Sequence, residues 1–245
     1  WIETELPANG TYTILVQPQG RNTGSITLTL SPTVIGTITL GGPSVPVSIL
    51  RVGQQARLTF SGSAGQRVSL GMTGVTLGTS WCCGSQVFIR KLDGTDVGWS
   101  WAGTRWGWIE TQLPASETYV VVVRPESTNT GNITLTLSET VTGTITIGGP
   151  SVPVTITRFG QHARVTFNGT AGQRLRLRMS DVTIGTWCCG TRVHILKPDG
   201  SILAIRVVGT DGGDLNPPAL PVNGTYVVLI QPESTNTGGI TLTLS

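Results

Sequence analysis

The chain has 245 residues, of which 12% are charged, and its 16 Lys and Arg against 13 Asp and Glu leave a net charge of +3. Fourteen of the cations are Arg scattered along the chain, so no basic run with interleaved aromatics speaks for nucleic acid, and no apolar stretch approaches the roughly 20 residues of a membrane-spanning helix. The 33 glycines and 14 prolines, with Thr, Val and Ile between them, are turn and strand formers and point to an all-β class.

The first segment, LPANGTYTILVQPQGRNTGSITLTLS at 6–31, returns as LPASETYVVVVRPESTNTGNITLTLS at 113–138 and LPVNGTYVVLIQPESTNTGGITLTLS at 220–245. Leu6, Leu113 and Leu220 stand 107 residues apart, and a fixed period of this kind marks a repeat architecture. Residues 1–31 therefore read as the last part of a preceding unit, with strands predicted over Trp1–Pro7, Tyr12–Gln17 and Ser25–Leu30. Their expected setting is a longer polypeptide that supplies the earlier strands, the alternative being completion by another chain.

The first full unit, 32–138, opens with GTITLGGPSVPVSI at 36–49, which returns as GTITIGGPSVPVTI at 143–156 in the second unit, 139–245. Units of about 107 residues fall at the commonest domain size. Each reads as about eight short strands with a turn every eight to twelve residues, the pattern of an antiparallel β-sandwich of jelly-roll type. Ala163, Val165 and Phe167 alternate with Arg164, Thr166 and Asn168, and Leu175, Leu177 and Met179 alternate with Arg174, Arg176 and Arg178; period two with one apolar face is a half-buried strand. The Arg174, Arg176 and Arg178 stripe aligns with Arg67, Ser69 and Gly71 and reads as a solvated strand face. Asp93-Gly94 and Asp199-Gly200 separate strand-like runs as hairpin turns, and the valine run after Tyr119 reads as buried on both faces. In the tail Ile133, Leu135 and Leu137 face one way, so Thr134 and Thr136 are expected to line the solvent side. The connection Ser138-Glu139-Thr140 is too short for a flexible linker, which predicts rigidly stacked units.

The order of these landmarks carries a resemblance. A strand led by Gly65-Gln66 or Gly172-Gln173, a hairpin closing on Asp-Gly, then Leu-Pro before Thr-Tyr or Ser-Glu-Thr-Tyr, a valine-rich strand and a terminal ITLTLS together resemble the bacterial pre-peptidase C-terminal domain, in the tandem form found in very large surface and RHS/YD-repeat proteins. The resemblance spans both units and the leading fragment. It implies a β-sandwich with a spacer or adhesive role and a secreted or cell-surface location. Relatives that bind calcium use acidic loops, whereas the stretch after the Asp-Gly hairpin is GWSWAGTRWGW in one unit and AIRVVGTDGGD in the other, so no metal site is expected.

Chemistry shared by the units should recur in both. His162 aligns with Gln55 and His194 with Phe88, Asp211 and Asp214 have no acidic equivalents in the first unit, and neither a Gly-x-Ser-x-Gly elbow nor a histidine-glutamate metal motif occurs. No catalytic residue and no cofactor is expected. The cysteines do recur, Trp81-Cys82-Cys83-Gly84 matching Trp187-Cys188-Cys189-Gly190. Adjacent cysteines suit zinc poorly because their thiolates diverge, and a disulfide within each pair, Cys82 to Cys83 and Cys188 to Cys189, is the preferred reading beside free thiols or crosslinks between subunits. Either disulfide arrangement fits an oxidising, extracellular compartment. Trp99, Trp101, Trp106 and Trp108 form two period-two pairs about a short turn, which predicts four rings on one face of two paired strands. That surface reads as a cap on a sandwich edge or junction, or as a platform for a sugar or a neighbouring chain. Trp1 aligns with Trp108, and the last unit has Leu215 there. Asn9, Asn132, Asn168 and Asn223 open Asn-x-Thr sequons, three of them Asn-Gly turns that need no glycan.

The expected function is thus that of a non-catalytic structural or adhesive repeat, part of a larger extracellular protein or fibre, whose partners are neighbouring repeats or further copies. A carbohydrate- or matrix-binding module is the alternative.

Overall fold

A computed structural model of the chain describes residues 2–104, 107–187, 189–233 and 235–245. Strands begin at Val34, and the first nine are β1 (Val34–Thr37), β2 (Val45–Ile49), β3 (Ala56–Gly62), β4 (Arg67–Thr73), β5 (Ser85–Lys91), β6 (Asp96–Ala102), β7 (Gly107–Gln112), β8 (Glu117–Pro125) and β9 (Gly131–Glu139). They form two sheets, ordered β1-β3-β8-β5-β6 and β2-β9-β4-β7. The next nine repeat the plan: β10 (Val141–Thr144), β11 (Val152–Ile156), β12 (Ala163–Gly169), β13 (Leu177–Ser180), β14 (Thr191–Leu196), β15 (Ile202–Val208), β16 (Gly213–Leu215), β17 (Gly224–Pro232) and β18 (Gly238–Leu244). Their sheets run β10-β12-β17-β14-β15 and β11-β18-β13-β16. The fold is all-β, and each half is a five-on-four sandwich.

Two details differ from the sequence expectation. Each sandwich has nine strands among the described residues rather than about eight, and one pair in each, β1 with β3 and β10 with β12, is parallel. The reason is the route of the chain: β1 lies in one sheet, β2 in the other and β3 back in the first, and a crossover through a second layer is what brings two strands of one sheet parallel.

Strand patterning drives the packing. Ala56, Leu58 and Phe60 on β3 are buried while Ser61 is exposed, and β8 is buried on both faces from Tyr119 to Val123. One apolar cluster fills each sandwich, the first running from Ile38 to Leu137 and the second from Ile145 to Leu244. The same local lock recurs at the entry to the central strand: the Tyr119 hydroxyl donates to the Ala115 carbonyl at 2.8 Å and that of Tyr226 to Val222 at 2.7 Å. Each ring stacks on a core phenylalanine, Phe60 at 5.5 Å and Phe167 at 5.4 Å. The Asp-Gly turns do close hairpins: Asp93 accepts from the Thr95 amide, Gly94 adopts φ 90°, and β5 pairs antiparallel with β6.

Residues 2–31 do not form the strands expected over Trp1–Pro7, Tyr12–Gln17 and Ser25–Leu30; residues 2–30 are exposed without strand structure, and Trp1 lies outside the described residues. A strand needs a neighbour for its N–H and C=O groups and a facing sheet for its apolar side, worth about 1.5–3 kcal/mol per large side chain. Ile14, Val16, Ile26, Leu28 and Leu30 find neither here. The local lock survives even so, with the Tyr12 hydroxyl 2.6 Å from the Ala8 carbonyl.

Candidate functional site

The β5–β6 hairpin turns its outer side away from the core of the first sandwich. Strand register places Trp99 opposite Phe88 and Trp101 opposite Gln86. The Trp99 ring lies 6.3 Å from Phe88, near parallel, and 6.3 Å from Trp101, edge-on. Phe88 is buried with Val120 and Val122 beneath the platform, whereas Trp99 is 54% exposed. The Arg90 guanidinium lies 4.1 Å from the Phe88 ring centre and that of Arg124 5.2 Å, a cation–π arrangement. Arg90 also pairs with Asp96, and Arg124 donates to Gln86. An exposed indole face can stack against a flat, weakly polar ligand surface.

The four tryptophans do not share a face, which corrects the expectation for Trp99, Trp101, Trp106 and Trp108. After Ala102 the chain leaves the five-stranded sheet, and β7 belongs to the four-stranded one, where it pairs with β4. β6 and β7 are therefore not hydrogen-bonded partners. Trp108 stands opposite Gly71 on the outer face of the second layer and packs edge-on against His162 of the second sandwich, 4.6 Å between ring centres. Trp106 lies outside the described residues. Leu215 is opposite Leu177 as Ile109 is opposite Leu70, so the residue in Trp108's place is Asp214 rather than Leu215. In the second sandwich the positions of Phe88, Trp99 and Trp101 hold His194, Ile205 and Val207, the last two exposed.

Trp108 belongs to a junction that joins the sandwiches backbone to backbone. A methyl group built on Gly71 would lie 2.2 Å from the Phe159 carbonyl oxygen, and one built on Gly160, at φ 69°, would lie 2.3 Å from Gly71 Cα. From the second sandwich Arg158 donates through Nε to Ser138 Oγ at 2.7 Å and through Nη2 to the Gly42 carbonyl. The His162 amide donates to Ser69 Oγ at 3.2 Å, and the Glu110 carboxylate, itself mostly buried, holds Arg67 at 3.1 Å and Arg164 at 3.2 Å. Thr136, opposite Gly71, is buried and 2.7 Å from Ser44 Oγ, so this part of the threonine face is covered rather than solvated. Burial pushes the His162 imidazole down to about 3, with Arg164 and His194 adding to the effect. Neither of its ring nitrogens has a hydrogen-bond partner among the described residues.

Cys82 and Cys83 form a disulfide, in a loop where the Cys83 amide donates to Ser80 Oγ at 3.2 Å. For the second pair, Cys188 lies outside the described residues. Beside these cysteines are two rings that the sequence reading passed over: Trp81 is 69% and Trp187 73% exposed. Their recurrence in both WCCG segments was the available signal. Among the described residues no group of three or more His, Cys, Asp or Glu could hold a metal ion, and no helix is long and apolar enough to cross a membrane.

No protein-family model matches the chain, and none of the curated proteins does. Among solved structures it is similar to a periplasmic inhibitor of g-type lysozyme from Aeromonas hydrophila, at 15% identity and a TM-score of 0.31 over 43% of this chain and 99% of that one. It is also similar to the CUB1-EGF-CUB2 segment of human MASP-1/3, at 9% identity and a TM-score of 0.28 over 82% of this chain and 99% of that one. A glycosyl hydrolase family 2 member from Bacteroides cellulosilyticus is similar at 9% identity and a TM-score of 0.25, over 71% of this chain and 23% of that one. Likenesses this remote carry no argument about function.

Proposed function

We propose that the chain is a non-catalytic segment of a tandem β-sandwich array, with a structural or adhesive role in a larger secreted or cell-surface bacterial protein or fibre of the kind that carries pre-peptidase C-terminal-like repeats. The observation behind this reading is the junction: a one-residue connection at Thr140 between β9 and β10, glycine backbones in contact, and Arg158 bracing the first sandwich from the second. A spacer needs such stiffness, whereas independently acting modules do not. The Cys82–Cys83 disulfide supports an oxidising location. Small-angle scattering from the chain should give one extended two-sandwich shape, and a broad spread of inter-sandwich distances would contradict the reading.

The exposed Trp99 ring favours a second reading, a carbohydrate- or matrix-binding module acting through Trp99 and Trp101. Trp108 has no part in such a surface because His162 covers it. Glycan-array screening followed by calorimetry on Trp99→Ala is the test. Stacking on one aromatic ring is worth about 0.5–1.5 kcal/mol, so the variant should bind roughly threefold to tenfold more weakly; equal binding would exclude the platform.

A further inference from the structure

The junction has two unlike halves. The upstream half is the outer face of a four-stranded sheet, where Ser69 and Gly71 are small enough to admit a backbone and Trp108 and Glu110 flank them. The downstream half is the loop at 157–161 with His162 and Arg164 behind it. Gln161 closes this loop, accepting from the Thr157 amide at 3.0 Å and donating to the Glu139 carbonyl at 2.9 Å.

The first sandwich carries a downstream half of its own. Its loop at 50–54 is closed in the same way, Gln54 accepting from the Leu50 amide at 2.9 Å and donating to the Pro32 carbonyl at 3.0 Å, and Gly53 has φ 77° where Gly160 has 69°. Arg57 takes the place of Arg164, and it lies 3.4 Å from Glu3, the residue one repeat before Glu110. Leu50 and Val52 are exposed at the loop tip.

The second sandwich lacks an upstream half. Arg176, Arg178 and Asp214 stand where the first has Ser69, Gly71 and Trp108, with Arg178 opposite both Asp214 and Thr243 as Gly71 is opposite Trp108 and Thr136. Arg176 pairs with Asp214 at 2.6 Å, and Arg176 and Arg178 are exposed. Since even a methyl group at Gly71 would meet the incoming backbone, an arginine at this position fills the space the loop requires. Its charge also repels the arginines that a downstream half brings with it.

We infer that docking in this array runs one way: the face from Leu50 to Arg57 takes the outer sheet face of another sandwich bearing the small-residue, Trp and Glu pattern, and the outer sheet face of the second sandwich is closed to such a partner. This rests on the array reading above, and scattering from the wild-type chain tests that reading separately. If the wild type already gives a broad distance distribution, the array reading fails before any variant is considered. With a rigid wild type, Ser69→Arg combined with Gly71→Arg copies the closed face onto the first sandwich. The second sandwich folds with Arg178 on β13 and with Arg176 just before it, its backbone bonded to Ser245, so far-UV circular dichroism should stay unchanged while the single rigid scattering shape is lost. Adding equal charge away from the junction, Ser61→Arg with Thr118→Arg, should leave that shape intact. A folded double variant with the wild-type profile would overturn the inference. If the double variant misfolds, the decision passes to Arg176→Ser with Arg178→Gly, Asp214→Trp and Asn216→Glu, which copies the small-residue, Trp and Glu pattern onto the closed face and should make chains associate head to tail with rising concentration in sedimentation velocity. A folded quadruple variant that stays monomeric, or a wild type that assembles in the same way, overturns it equally.

Discussion

His162 is the residue on which the junction's pH response should turn. Its folded-state value is depressed by burial to about 3 from an ordinary 6.5, so its contribution is full above pH 6.5 and is lost as pH falls toward the folded value, by about 1.4 kcal/mol per pH unit. The groups around it do not rescue the protonated form: Arg67 and Arg164 bracket Glu110, whose carboxylate is already shared between them, and His194 adds repulsion. We expect the melting temperature of the chain to drop between pH 7 and pH 4.5 more steeply in the wild type than in His162→Gln, which places in the second sandwich the residue that the first has at Gln55. Parallel pH profiles for the two proteins would contradict this. The residue was visible in the sequence as a solitary histidine with no counterpart in the other unit. Its place under Trp108 was not visible, because nothing local links two residues from different sandwiches.

At the scale of elements, the central strands β8 and β17 owe their start to the tyrosine lock. Tyr119 is fully buried and its hydroxyl both accepts from the Ala115 amide at 3.1 Å and donates to the Ala115 carbonyl at 2.8 Å. Tyr119→Phe keeps the ring on Phe60 but leaves the backbone groups of Ala115 unpaired at a partly buried site, which should cost about 1–2 kcal/mol in denaturant unfolding. Tyr12→Phe removes the same hydrogen bonds from an exposed turn, where water replaces them, and should leave the midpoint unchanged. Equal effects from the two substitutions would mean that the lock acts in the unfolded chain. The strands themselves, the Asp-Gly hairpins and the doubly buried valine run were legible because alternation and turn residues are local signals. The pairing of β1 with β3 was not, since a parallel edge depends on the excursion through β2.

For the whole molecule, the sandwiches and the leading segment should differ sharply in protection. Amide hydrogen exchange is expected to be slowest in β3, β8, β9, β12, β17 and β18, whose strands line the two cores, and unprotected over 2–31. Strong protection of 2–31 in a demonstrated monomer would mean that these residues find a partner within the chain.

Fold class, the repeat and the buried positions of β8, β9, β12 and β13 followed from the sequence alone, because period two and turn chemistry act over a few residues. Which residues meet across the molecule was decided only by tertiary structure. Trp99 and Trp108 are nine residues apart with matching alternation, yet the chain changes layers between them, so one ring faces solvent and the other the next sandwich. Asp214 rather than Leu215 occupies Trp108's position because the core fixes Leu215 opposite Leu177. The offset of 106 between Trp81 and Trp187 already carried this one-residue shift, but Leu113 and Leu220 are again 107 apart, and only the strand register shows on which side of Trp108 the spacing changes back. Alternation tells a side chain which face of its strand to take; the layer that strand joins, and what covers its outer face, depends on contacts between residues far apart in the chain.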